Sequence, residues 1–415
     1  MSKLLLIAPT CDNQDVGEAW VAFQWTSRLA KRFEVTLLTY HKRDRTPVSK
    51  QLTGLRVIEW CEPMLVGRAE RLNSMLKPGY LPFYFKARRW IRSALANGER
   101  FDLAYQPVPV AMRYPSPLVG LGIPYIVGPV GGSLESPEAF DGDDTAPWYI
   151  GLRNLDRLRL RRDPLLRATY EEASCVIGIA PYVSDILANN RLRRFEVMSE
   201  TGIENLPEPI NRFDRSGPVR LLYVGRMIRT KGARDAVRAM SLLRDLDIVL
   251  DVVGDGVDRA ACEALASDLN VASRVVFHGR LPRQEVDKFY RAADIFVFPS
   301  YREPGGNVAF EAMGFGLPVI VSNRGGPGSA ADETCGICLQ PLSPEQYARD
   351  IAGAIRRLVE DRELRLALGR GGRRRVADIA LWDRKIDHLA ALFANVIGDM
   401  DGRLSTDNRP GAPAC

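Results

Sequence analysis

Two carboxylates and two cations carry the strongest chemical signal in these 415 residues. A short apolar run ends in Gly225 and is followed by Arg226-Met227-Ile228-Arg229-Thr230-Lys231-Gly232. A glycine at the carboxyl end of a strand lets the backbone turn sharply and a ligand approach closely. A planar guanidinium on Arg226 and a point ammonium on Lys231 above that turn would suit a diphosphate. The plain alternative is two solvated charges on a loop. Further on, Pro304-Gly305-Gly306 bars regular helix, whereas residues 308–314 can form one. Asn307 reads as the N-cap, so Gly305, Gly306, Asn307 and Val308 present backbone N–H groups at a helix N-terminus. That is an anion site by geometry and dipole. Glu303 lies in the loop above it and Glu311 on the first helical turn behind it. One carboxylate could reach a transferred group while the other accepts hydrogen bonds from vicinal hydroxyls such as a ribose. Either alone could be an ordinary surface glutamate.

These residues need a scaffold, and the apolar runs supply one. Strands are expected over 4–8, 34–39, 56–59, 103–105, 125–127 and 175–179, then over 220–224, 248–253, 275–277, 295–298, 319–321 and 337–339. Most are continuous β-branched or Leu-rich runs, as in strands buried on both faces of a parallel sheet. Amphipathic stretches alternate with them throughout. Two successive series of this kind predict an α/β chain of two doubly wound Rossmann-like domains. Residues 202–218, crowded with Pro, Gly and Asn, read as the hinge. Helices are expected over 344–359 and 382–399, with a disordered tail over 401–415. No internal repeat is found beyond the shared rhythm. Ligands of such sheets bind beyond the strands' carboxyl ends, which puts the site in the cleft between domains.

Composition excludes several classes. Apolar residues make up 46%, charged residues 26% and aromatics 8%, which rules out intrinsic disorder, collagen-like repeats and coiled coil as the main architecture. The net charge of +6 is too small to predict nucleic-acid binding, although nearly all of it falls in residues 1–200. Seven scattered cysteines argue against a disulfide scaffold and for a reducing, cytoplasmic setting. No run of 18 apolar residues occurs, and the first ten residues lack the pattern of a signal peptide. A soluble or peripheral protein is expected.

The ordered set Gly225-Arg226…Lys231-Gly232, Gly254-Asp255-Gly256, Phe277-His278-Gly279 and Glu303-x7-Glu311 resembles glycosyltransferase family 4, the retaining enzymes of GT-B fold. The resemblance spans essentially the whole chain and is strongest over 219–339. It implies an acceptor-binding domain over 1–205, completed by a helix over 382–400 that crosses back, and a nucleotide-sugar-binding domain over 206–381. It also implies that Arg226 and Lys231 bind the donor pyrophosphate, Glu311 the ribose, and Glu303 the donor sugar's hydroxyls. The amides of Gly305–Val308 would contact sugar and phosphates, the backbone at Gly279 and Arg280 the base, and Gly17 a loop under the phosphates. Two cations facing a departing nucleoside diphosphate leave no role that requires a metal or other cofactor. Many family members carry a histidine after the fifth strand of the first domain. Here that region reads Tyr125-Ile126-Val127-Gly128-Pro129-Val130-Gly131-Gly132-Ser133. Gly131, Gly132 and Ser133, opening a helix on the acceptor side, are expected to offer backbone donors to the sugar or phosphate; a tight turn needing glycine explains them equally.

Residues 72–93 mix Leu, Met, Phe, Tyr and Trp with Lys and Arg, and 153–167 hold six arginines. Both suit an anionic membrane surface, against the plainer reading of a core helix and a solvated face. Three decoys are set aside: Asp141-Gly142-Asp143-Asp144 as a metal motif, Cys335-Gly336-Ile337-Cys338 as a redox pair, and Gly254-Asp255-Gly256 as a dinucleotide fingerprint. The expected function is a cytoplasmic, peripheral glycosyltransferase moving a hexosyl group from a nucleoside diphosphate sugar to a lipid-linked glycan, in exopolysaccharide or lipopolysaccharide synthesis. The alternatives are a nucleotide-sugar epimerase of the same fold and a non-catalytic nucleotide-sugar-binding partner in glycan assembly.

Overall fold

The computed structural model describes residues 1–43, 45–63, 79–143, 153–212 and 216–407. Seven strands form the first sheet: β1 (Lys3–Thr10), β2 (Glu34–His41), β3 (Arg56–Cys61), β4 (Leu103–Gln106), β5 (Tyr125–Val130), β6 (Cys175–Gly178) and β7 (Phe195–Val197). Six form the second: β8 (Val219–Val224), β9 (Ile248–Val253), β10 (Val275–Gly279), β11 (Ile295–Phe298), β12 (Val319–Ser322) and β13 (Gly336–Leu339). Both sheets are parallel, ordered β3-β2-β1-β4-β5-β6-β7 and β10-β9-β8-β11-β12-β13. The order reverses beside β1 and β8, the points where doubly wound sheets open a crevice.

The continuous apolar runs have a simple cause. In β1, Leu4, Leu6 and Ala8 join one core cluster while Leu5 and Ile7 join another. Strands β2, β4, β5 and β6 divide their side chains between the same two clusters. Successive side chains point to opposite faces, so a sheet covered on both sides needs apolar residues at every position. All twelve expected strands are present. The addition, β7, is a three-residue edge strand with no fully buried residue.

The helix expected over 344–359 is Pro344–Glu360, started by a capping box between Ser343 and Gln346. A helix not anticipated, Arg362–Ile379, follows it. The last helix runs Trp382–Asp407, so the segment read as a tail over 401–415 begins in helix, and residues 408–415 lie outside the described residues. Trp382, Ile386, Leu389, Leu392 and Phe393 of that helix are packed into the first sheet's core.

Two features tie the halves together. Phe140, from a 3-10 helix (Glu138–Asp143), is fully buried in the second sheet's core, with its ring centroid 4.3 Å from that of Tyr301. The two crossing strands of chain meet at a parallel bridge between Ile203 and Leu381, where Trp382 packs edge-on against Trp25 at 4.9 Å. Beneath this hinge Lys385 is buried and donates to the Ser199 carbonyl at 2.6 Å and to its hydroxyl. Burial lowers its pKa from 10.5 to about 7, opposed by Glu200. Between pH 7 and 10 the unfolded chain therefore binds more protons at this site than the folded one, so stability rises with pH across that window. Lys385→Met removes the effect. Thermal melting should show its stability relative to the wild type to be greatest near pH 6–7 and to decline toward pH 10; a pH-independent difference would mean the lysine does not titrate there.

Candidate active site

The loop after β8 folds into a single 3-10 turn, Arg229–Lys231, before the helix Ala233–Ser241. Gly232 permits this: its φ is +79°, and a Cβ there would stand 2.2 Å from the Pro299 carbonyl oxygen. The turn carries Lys231 inward, where it is buried and ion-paired with the Glu303 carboxylate. Burial pulls the Lys231 pKa down, and Glu303 opposes that shift. The other oxygen of Glu303 accepts the Gly305 N–H at 3.3 Å. Cation, carboxylate and loop amide thus form one cluster at the carboxyl ends of β8 and β11. Arg226 stands exposed at the rim of the same loop.

Arg229 has a different task from the two cations singled out in the sequence. It is buried, forked onto Asp235 at 2.6 and 3.1 Å, and lies over the rings of Phe140 and Tyr301. Asp235 also accepts from Arg238 at 3.2 Å.

The helix behind Glu303 is Asn307–Gly314, one residue longer at its start than expected. Gly306, not Asn307, is the N-cap; its φ of +68° is left-handed, and a Cβ would come within 2.7 Å of the Pro327 nitrogen. The Asn307 side chain therefore does not cap the helix, and its buried Oδ1 has no partner among the described residues. Val308 packs on the second core. Glu311 lies one turn in rather than on the first turn, held by Arg283 at 2.5 Å and by the Tyr290 hydroxyl at 3.1 Å. Gly279 ends β10 with φ +72°, and Arg280 beside it is exposed. Gly17 caps the helix Glu18–Leu29 and is exposed in the loop that follows β1.

Gly131, Gly132 and Ser133 do not open a helix. The chain continues as coil to Glu138, because the two glycine amides are already used locally. Gly131 donates to the Val110 carbonyl at 2.7 Å and Gly132 to the Tyr182 hydroxyl at 3.1 Å. Ser133, with φ +54°, borders a pocket of about 440 Å³ between the halves. Glu135, Arg157, Tyr182 and Arg324 also line it. Glu135 pairs with Arg157 at 2.8 Å, and its carbonyl accepts from Arg324 at 2.8 Å. Arg302 reaches the Ser136 hydroxyl at 3.0 Å, a further bond across the cleft.

The three histidines all have acidic neighbours elsewhere: His41 with Glu59, His278 with Asp251 and His388 with Glu196. Burial pushes the Cys335 thiol up to about 11, so it holds no thiolate for redox chemistry. Asp144 of the acidic motif lies outside the described residues.

Two Rossmann-like parallel sheets with a C-terminal helix returning to the first, and a cation–carboxylate cluster at the strand ends of the second, define a GT-B glycosyltransferase fold. Residues 210–375 match the family model described as glycosyl transferases group 1. It is 30% identical over 230 residues to 2-deoxystreptamine glucosyltransferase of Streptomyces kanamyceticus, covering 54% of this chain and 58% of that protein. It is 32% identical over 202 residues to the lipopolysaccharide core biosynthesis glycosyltransferase LpsD of Rhizobium meliloti, covering 47% and 57%. The matches therefore span little more than half the length of these relatives. Among solved structures, sucrose-phosphate synthase from Thermosynechococcus elongatus aligns over 96% of this chain and 100% of its own, with a TM-score of 0.66 at 22% identity. That likeness is one of fold.

Proposed function

We propose that this chain transfers a hexosyl group, with retention of configuration, from a nucleoside diphosphate sugar to a lipid-linked glycan. The observation that carries the reading is the contact of the buried Lys231 with Glu303, close in sequence to the left-handed Gly306. A desolvated ammonium next to the N-terminus of the helix Asn307–Gly314 suits a leaving diphosphate, whose charge grows as the glycosidic bond breaks. Glu303 then faces the sugar and Glu311 the ribose, with Arg226 closing over the phosphates from the rim. Residues 1–205 with the last helix form the acceptor side, and 206–381 the donor side.

The lipid-linked acceptor is supported by the helix Tyr80–Ala96. Leu81 and Phe85 on its outer face are 60% and 66% exposed, followed along the same stripe by Arg89 and Arg92. Apolar anchors flanked by arginines suit an anionic bilayer surface. No helix among the described residues is long and apolar enough to cross a membrane. Residues 72–78, the start of the stretch singled out in the sequence, lie outside the described residues.

Calorimetric titration with UDP, GDP and ADP tests the donor side, with Glu311→Ala as control. One nucleotide should bind, at least about tenfold more weakly in the variant, since a charged hydrogen bond to the ribose is lost. Failure of all three to bind would refute the donor site. Flotation with anionic vesicles tests the acceptor side; protein left at the bottom of the gradient would remove the membrane from the reading.

A further inference from the structure

The phenol of Tyr182 stands where the acceptor-side loop meets the donor loop. Its hydroxyl accepts the Gly132 N–H at 3.1 Å and lies within electrostatic reach of both Glu303 and Glu200. It lines the pocket of about 440 Å³ between the halves, together with Ser133. Three further facts fix what the group can do. Its oxygen is held by the Gly132 amide, so its own proton points elsewhere, and that proton has no acceptor among the described residues. Burial pushes the phenol up to about 12, so near neutral pH it is a hydrogen-bond donor and not a base. The helix Tyr182–Ile186 that carries it begins just past β6, at a strand's carboxyl end, where ligands of such sheets lie. A half-buried donor in a polar pocket, with no acceptor among the described residues, is built to meet a ligand oxygen.

We propose that the Tyr182 hydroxyl donates a hydrogen bond to a hydroxyl of the transferred hexose, between the Gly132 amide and the Glu303 carboxylate. This rests on the donor-site reading above. It assigns the sugar-facing polar group of the first domain to a tyrosine after β6, whereas the sequence pointed to residues 131–133 after β5. It also makes the sugar half of the donor, and not the nucleotide half, the part this side chain recognises.

The test separates the two halves of the donor. UDP-, GDP- and ADP-glucose, and the corresponding nucleotides, are titrated into the wild type and into Tyr182→Phe. The nucleotide alone should bind both proteins equally within about twofold. The additional affinity that the sugar confers should fall about tenfold in the variant, the size expected for one lost hydrogen bond that leaves a buried group unpaired. Replacing Tyr182 by 3-fluorotyrosine then distinguishes contact from scaffolding. A fluorinated phenol donates more strongly and accepts from Gly132 more weakly, so direct contact predicts tighter sugar binding and mere support of the loop predicts none. An unchanged sugar increment in Tyr182→Phe, or no gain with 3-fluorotyrosine, overturns this assignment and leaves the donor site standing. No binding of any nucleotide to the wild type overturns both.

Discussion

Lys231→Ala is expected to lower turnover by about 100- to 1,000-fold, the range for removing one preorganised group from a developing negative charge. The lysine is buried beside the proposed diphosphate position, so no solvent cation can substitute for it. Because leaving-group charge grows on the way to the transition state, kcat should fall with KM little changed. Arg226 provides the internal contrast. It is exposed at the rim, so Arg226→Ala should cost about tenfold or less, screened as surface charges are. Steady-state release of nucleoside diphosphate, from whichever donor binds in calorimetry, reads both. Wild-type rates in the two variants together would place these cations outside the site. The resting ion pair adds a second consequence: Lys231 must exchange part of its contact with Glu303 for phosphate oxygens as donor enters.

Asp235→Ala should cost about 3–5 kcal/mol of stability, the loss expected when one partner of a buried charge pair is removed. Asp235 is fully buried, and its removal takes a forked carboxylate away from the buried guanidinium of Arg229, which lies over the rings of Phe140 and Tyr301. Urea denaturation measures the loss. The double replacement Asp235→Leu with Arg229→Met should recover most of it, because buried pairs exchanged for apolar side chains of similar volume are often neutral. A change of less than about 1 kcal/mol in the single variant would mean that water reaches the pair.

Most of the scaffold was legible because parallel strands covered on both faces leave uninterrupted apolar runs, and all twelve such runs became strands. What escaped was governed by tertiary context. Residues 195–197 form an edge strand half open to solvent, so its Phe-Glu-Val carries no two-faced signature. The cap at Gly306 in place of Asn307 depends on how closely Pro327 approaches, a contact made by the short helix Gly325–Ala330 some twenty residues later. Arg226 and Arg229 sit three residues apart in one loop and look alike in sequence. Only the turn at Gly232 sends one to the rim and the other under Phe140. The Gly131-Gly132 pair could equally have been donors to a ligand or a locally satisfied turn, and the hydroxyl of Tyr182, fifty residues away, decides for the turn at Gly132. That tyrosine left no signal of its own, since nothing in Pro181-Tyr182-Val183 distinguishes a site residue from a core one.

The helix Trp382–Asp407 also sets a timetable for synthesis. Trp25, Tyr105 and their neighbours on one face of the first sheet are covered by Trp382, Leu389 and Phe393. Those residues leave the ribosome about 200 residues after β7, a delay of roughly 10–40 s at ordinary translation rates. Through that interval the part of this face beyond the helix Glu18–Leu29 lies uncovered in the nascent first half. The second half closes its own interior sooner, since its buried side chains all fall between Phe140 and Ala380. The part made first is thus finished last, and it is the nascent first half that a holding chaperone would be recruited to shield.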